Sequence, residues 1–224
     1  MDERPRGPYR PGRRSAAVAL LGLALLPVGQ HARAFTVAIA PSAPKMIYLQ
    51  VGVGTFTGRY DAGGTPGNNT TVNKVTVSVA AAAAGNGTPQ AMSTDSTVGA
   101  SSYDGYAFCN VPAQLYIGGF YRTTGAGTGA VSVTATVPSV LVDAAGDSLS
   151  FARISWTTGG NGPLGDSASQ PFPAGTFTPG AVQVVGSIAQ NHWAESCWTF
   201  SYGNTILPAA GTYAGRVLYT LSAP

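Results

Sequence analysis

"QNHWAESCWTFSYGN", residues 190–204, decides how the rest of the chain is read. Trp198, Phe200 and Tyr202 occupy alternate positions, with Thr199 and Ser201 between them. A period of two is that of a β-strand, and large rings on one side of a strand are what the core between two sheets requires. Cys197 alternates away from those rings. A bridge made by it therefore lies outside the core layer, or a bulge near Ser196 shifts the phase. The stretch also has a binding reading, in which Trp193 and Trp198 stack on sugar rings with help from His192 and Glu195.

The alternation recurs along the chain. Ile47, Leu49, Val51 and Val53 form one such set, and Val75, Val77 and Val79 a second. Val131, Val133, Ala135 and Val137 form a third, and Val217, Tyr219 and Leu221 a fourth. No segment keeps a helical period over ten residues, although Ala80–Ala84 before Gly85 suits a single helical turn. Gly-rich stretches such as "DAGGTPGNN" (61–69) and "TTGAGTG" (123–129) separate the runs and supply turn chemistry. The expected fold is all-β, an immunoglobulin-like antiparallel β-sandwich of about eight to ten strands with Gly-rich loops.

The first 34 residues read differently. Arg10, Arg13 and Arg14 precede an apolar run at 16–26, followed by Pro27 and the tripeptide Ala32-Arg33-Ala34. A basic start, a short apolar stretch and an A-x-A site describe an export signal cleaved after Ala34. The run is too short to span a bilayer. Residues 35–224 are then expected to form a single domain, with no membrane span once the signal is removed. The full chain carries +3, but six of its twelve basic and two of its nine acidic residues precede residue 35, so the remainder carries −1. Nothing in that remainder offers the basic patch that nucleic acid needs.

The two cysteines, Cys109 and Cys197, are expected to form a disulfide in an oxidising compartment. Catalytic chemistry finds little footing. Gly146-Asp147-Ser148-Leu149 spells the nucleophile block of a family of serine esterases, but the one histidine after residue 34, His192, has Ala189 three residues before it rather than an aspartate. Ser148 therefore reads as part of a turn between two strands. One histidine and two distant cysteines make no zinc cluster, and the acids are too scattered to select a calcium loop or a catalytic carboxylate pair. The sequence calls for no cofactor and no metal, and a non-enzymatic role is expected.

The C-terminal third, "LSFARISW…FPAGTFTPG…CWTFSYGNTILPAAGTYAGRVLYTLSAP", resembles secreted bacterial pilin-like proteins. Spore coat protein U-type proteins and subunits of chaperone–usher fimbriae belong to this group. The features shared are the Gly-Thr-Tyr entry at Gly211 and the alternating strand Val217-Tyr219-Leu221 close to the end. Small exported proteins of Gram-negative bacteria carry a similar "GTY-x-GR-V-x-YTLSAP" ending. The resemblance implies subunits that complete one another's sheets by strand addition. Phe35, Val37 and Ile39 would then be the donor strand, and other copies, related subunits or a periplasmic chaperone the partners. Three readings follow. The first is a structural or adhesive protein of the cell surface or periplasm. The second is a secreted carbohydrate-binding module taking surface glycans through the 190–204 aromatics, and the third is a hydrolase with an unrecognised site.

Overall fold

The computed structural model of the chain describes Met1 and residues 36–125, 129–160 and 170–223. The export signal expected in residues 1–34 lies outside the described residues apart from Met1, as does Phe35. Among the described residues ten strands have three or more residues. They are β1 (Thr36–Ala38), β2 (Met46–Val51), β3 (Leu115–Arg122), β4 (Ala130–Thr136), β5 (Val140–Val142), β6 (Ser148–Ser150), β7 (Ile154–Gly159), β8 (Val182–Ala189), β9 (His192–Tyr202) and β10 (Leu218–Ser222). Every pairing among them is antiparallel. The fold is all-β, and the one place that read as a helical turn is a short 3-10 turn, Ala81–Ala83.

The larger sheet runs β7-β9-β3-β2, with the two-residue strand Gly175–Thr176 outside β7. A three-stranded sheet of order β8-β4-β10 belongs to the same core. Val131, Val133 and Ala135 of β4, and Ile188 of β8, are fully buried there beside Trp198 of β9. The intervening Ser132 is exposed, and Thr134 and Thr136 are half-buried. Alternation at residues 130–137 thus becomes a two-faced strand. At residues 75–79 it produces something less regular. Val75, Val77 and Val79 pack against the core, but only Val75–Thr76 pairs in a ladder.

Strand β9 positions everything that follows. Its first half is flanked by β1 on one side (Thr36↔Ala194 to Ala38↔His192) and by β3 on the other (His192↔Tyr121 to Ser196↔Ile117). Its second half is flanked by β7 and by the two-residue strand Gln90–Ala91. The ladder with β3 runs without a register shift as far as Ser196, and the ladder with β7 runs without one from Cys197 onward. The phase therefore holds along the strand. Ala194, Trp198, Phe200 and Tyr202 join the main core, while Cys197 joins a second buried cluster with Phe108, Cys109 and Tyr116.

That second cluster exists because the long connection from β2 to β3 folds over the outer face of the larger sheet. The Cys109–Cys197 disulfide fastens it there, with Cα atoms 5.4 Å apart. Residues that would face water on an uncovered strand are consequently buried on both sides, from Trp193 to Trp198.

Candidate functional site: a buried carboxylate under the β2–β3 connection

Glu195 lies on the outer face of β9 and is 1% exposed. A buried carboxylate is stable only if donors replace the water it has lost. Three side chains do so here. Tyr116 donates its hydroxyl to Oε2 at 2.7 Å, and the indole Nε1–H of Trp193 donates to the same oxygen at 3.0 Å. Ser101 Oγ stands 2.7 Å from Oε1 and 3.0 Å from Oε2. Burial pushes the Glu195 carboxyl up from 4.5 to about 7, against the three hydrogen bonds, which favour the anion; the nearby Asp104, 2% exposed, adds to the upward push. Burial and the same carboxylate hold the Tyr116 phenol well above its ordinary range.

Local sequence explains why the pieces meet. Glu195 pairs with Gly118 of β3. Tyr116 is two residues earlier on the same face, and with no side chain at Gly118 its ring lies along the strand and reaches the carboxylate. A Cβ at Gly118 would meet Tyr116 Oη well inside contact distance. Gly118→Ala is therefore expected to break the Tyr116–Glu195 bond and lower stability by about 1 to 3 kcal/mol, the effect of leaving a buried polar group unsatisfied. Urea unfolding would show it as a lower midpoint, and an unchanged midpoint would contradict it.

Ser101 reaches the carboxylate from the connection. Its hydroxyl oxygen also accepts the backbone N–H of Tyr103 at 3.0 Å, which shapes the turn 101–104. Ser102 Oγ adjoins Gln50 Oε1 at 3.0 Å, and Gln50 Nε2 donates to the Gly52 carbonyl at 3.0 Å. Rings seal the cluster. Trp193 is fully buried, with Tyr60 at 5.1 Å, Phe56 at 5.6 Å, Phe120 at 5.8 Å and Tyr103 at 6.0 Å between centroids. Arg122 stands over the Tyr60 ring at 5.5 Å.

Of the four residues nominated as ligand-binding, the structure brings two together. Trp193 and Glu195 share the outer face and a hydrogen bond. Trp198 is on the opposite face, stacked on Trp156 at 4.8 Å. His192 is half-buried at the start of β9, with Nδ1 2.7 Å from the Gln190 carbonyl oxygen. Sugar stacking needs open rings, and both nominated indoles are 0% exposed. The expectation of a platform built from Trp193 and Trp198 is corrected accordingly. Ser101, Asp104 and Tyr116 were not singled out in the sequence.

Comparison with known protein families, curated proteins and solved structures finds no match.

Ser148 opens β6, exposed and opposite Val142 across a hairpin. Asp143 Oδ1 accepts the backbone N–H groups of Ala145 (3.0 Å) and Asp147 (2.8 Å), and Gly146 takes φ +92°. The four-letter esterase block is thus divided between a turn and a strand: Gly146-Asp147 close the turn, and Ser148-Leu149 begin β6. Among the described residues no three His, Cys, Asp or Glu side chains are grouped to hold a metal, and no helix is long and apolar enough to cross a membrane. A groove of about 550 Å³ opens elsewhere, lined by Val77, Val79, Met92, Leu149, Leu207 and Tyr213 among others.

Proposed function

We propose that this chain is an exported, non-enzymatic structural or adhesive subunit of the cell surface or periplasm, joined to further copies by strand addition. The observation that carries this reading is the seating of β1. Thr36–Ala38 lie as a short added strand against His192–Ala194, on the flank of β9 that β7 occupies further along. Ile39 extends the contact through its N–H to the Asn191 carbonyl at 2.8 Å. A terminal strand held by so few ladder residues can be supplied by the same chain or by a neighbour. The disulfide and the leader-like pattern of residues 1–34 support export. The −1 charge on the remainder and its alternating strands support a non-enzymatic surface role more than a nucleic-acid or membrane partner.

Size-exclusion chromatography with light scattering tests it. Chains starting at residue 35 should form multimers, and chains starting at Lys45, or carrying Val37→Pro, should not. A disulfide-bonded monomer in all three overturns strand addition.

A further inference from the structure

The Glu195 cluster carries an inference independent of any assembly. A carboxylate at 1% exposure has lost its hydration, and three neutral donors replace it only in part, because none of them cancels the charge. The charged and titratable groups around it supply no cation. From the connection come Tyr103, Asp104, Arg59 and Asp61, from β3 come Tyr116 and Arg122, and on β9 itself stands His192. Arg59 donates to the Asp104 carbonyl oxygen at 2.7 Å and lies 3.7 Å from Asp61. Arg122 covers Tyr60 and donates to the Ala40 carbonyl at 2.9 Å. His192 lies on the other side of the strand, against the Gln190 carbonyl. Among the described residues, then, no Lys, Arg or His pairs with Glu195, and the nearest carboxylate, Asp104, repels a charge there.

We propose that Glu195 is a proton-operated latch: protonated, it ties segment 99–109 of the β2–β3 connection to the outer face of the sheet, and ionised, it loosens that segment while the disulfide keeps it tethered. The geometry suits both states. Ser101 Oγ lies within bonding distance of both carboxyl oxygens, so it can accept a proton from one while donating to the other. Tyr116 and Trp193 continue to donate to Oε2 in either state. The acid leaves the cluster neutral and fully bonded. The anion buries a negative charge beside Asp104 with no counter-ion.

The sign follows from the two protonation constants. The closed form holds the carboxyl at about 7, and an open, hydrated segment restores it to about 4.5. Closure is therefore favoured most below 4.5, weakens as pH rises from 4.5 to 7, and is constant above that. The opening equilibrium should rise by about 300-fold across this window, tenfold for each pH unit of the difference.

Two measurements on the full chain decide it. Carboxyl-labelled glutamate enters at two positions only, Glu3 and Glu195, and Glu195→Gln identifies which carbon signal belongs to which. The Glu195 signal should titrate with a midpoint near 7. Hydrogen-exchange protection of residues 99–109, with intrinsic exchange rates divided out, should fall over the same range in the unaltered chain and stay flat in Glu195→Gln. A midpoint in the ordinary carboxyl range overturns the latch. So does a raised midpoint with pH-independent protection. The titration on the unaltered chain stands even if Glu195→Gln does not fold.

Discussion

Replacing Cys109 and Cys197 together by serine is expected to reduce unfolding free energy by about 4 to 5 kcal/mol, by the chain-entropy argument for a bridge across 88 residues. The loop closed by this bridge holds β3 to β8 and the first half of β9, so the unfolded chain gains freedom over a loop of 88 residues. Serine at Cys197 also puts a hydroxyl at a site that is 0% exposed, beside Phe108 and Tyr116, which adds to the loss. For a domain of this size the change corresponds to about 10 to 15 °C in melting temperature. Urea unfolding of both forms, followed by tryptophan fluorescence, measures it directly. A loss below about 1 kcal/mol would mean that the bridge restrains little beyond what packing already fixes. Reduction of the unaltered protein should reproduce most of the effect, because it frees the same loop.

The bridge was legible because two cysteines leave one possible pairing within the chain. Its place outside the core was one of the two readings that the sequence left open, the other being a bulge near Ser196; in the structure Cys197 and Trp198 lie in different clusters, as neighbours on an undistorted strand do. The same parity separates Trp193 and Glu195 from Trp198, so a single surface carrying all four nominated residues was not available to an undistorted strand. Residues 130–137 and 198–202 were read as they fold, because burial on one face writes itself into a period of two. The outer-face cluster left no such mark. Ser101 and Tyr116 are 94 and 79 residues from Glu195; Tyr116 meets it through the pairing of β3 with β9, and Ser101 only because an irregular connection folds back over the sheet. The one local trace is Gly118-Gly119 in the middle of the buried strand β3, where a missing side chain signals close approach. At Val77 and Val79 the pattern reported burial correctly and pairing incorrectly, because side-chain contacts with a core do not require a neighbouring ladder.

Trp198→Ala is expected to be comparably damaging, at about 3 to 5 kcal/mol, the usual range for emptying a buried Trp or Phe site. Trp198 is 0% exposed and lies at the meeting point of the two sheets. It stacks on Trp156 of β7 at 4.8 Å with planes 6° apart, meets Tyr219 of β10 edge-on at 6.0 Å, and has Phe200 at 5.9 Å. Alanine removes contacts with both layers at once, and neighbours fixed in strands cannot close the gap. The indole nitrogen makes the chemistry more specific. Among the described residues Trp198 Nε1 is buried with no hydrogen-bond partner, whereas Trp193 Nε1 donates to Glu195 and Trp156 Nε1 donates to the Pro173 carbonyl. Trp198→Phe gives up area but also removes an unsatisfied donor, so it should cost clearly less than Trp193→Phe, which strips a bond from a buried carboxylate. Urea unfolding of the three variants orders them as Trp198→Ala, then Trp193→Phe, then Trp198→Phe, from most to least destabilised. Near-ultraviolet circular dichroism should lose the coupled signal of the Trp156–Trp198 stack in both Trp198 variants and keep it in Trp193→Phe. If Trp198→Phe proved the more damaging of the two phenylalanine variants, ring volume between the sheets, rather than the state of the indole nitrogen, would be what governs this site.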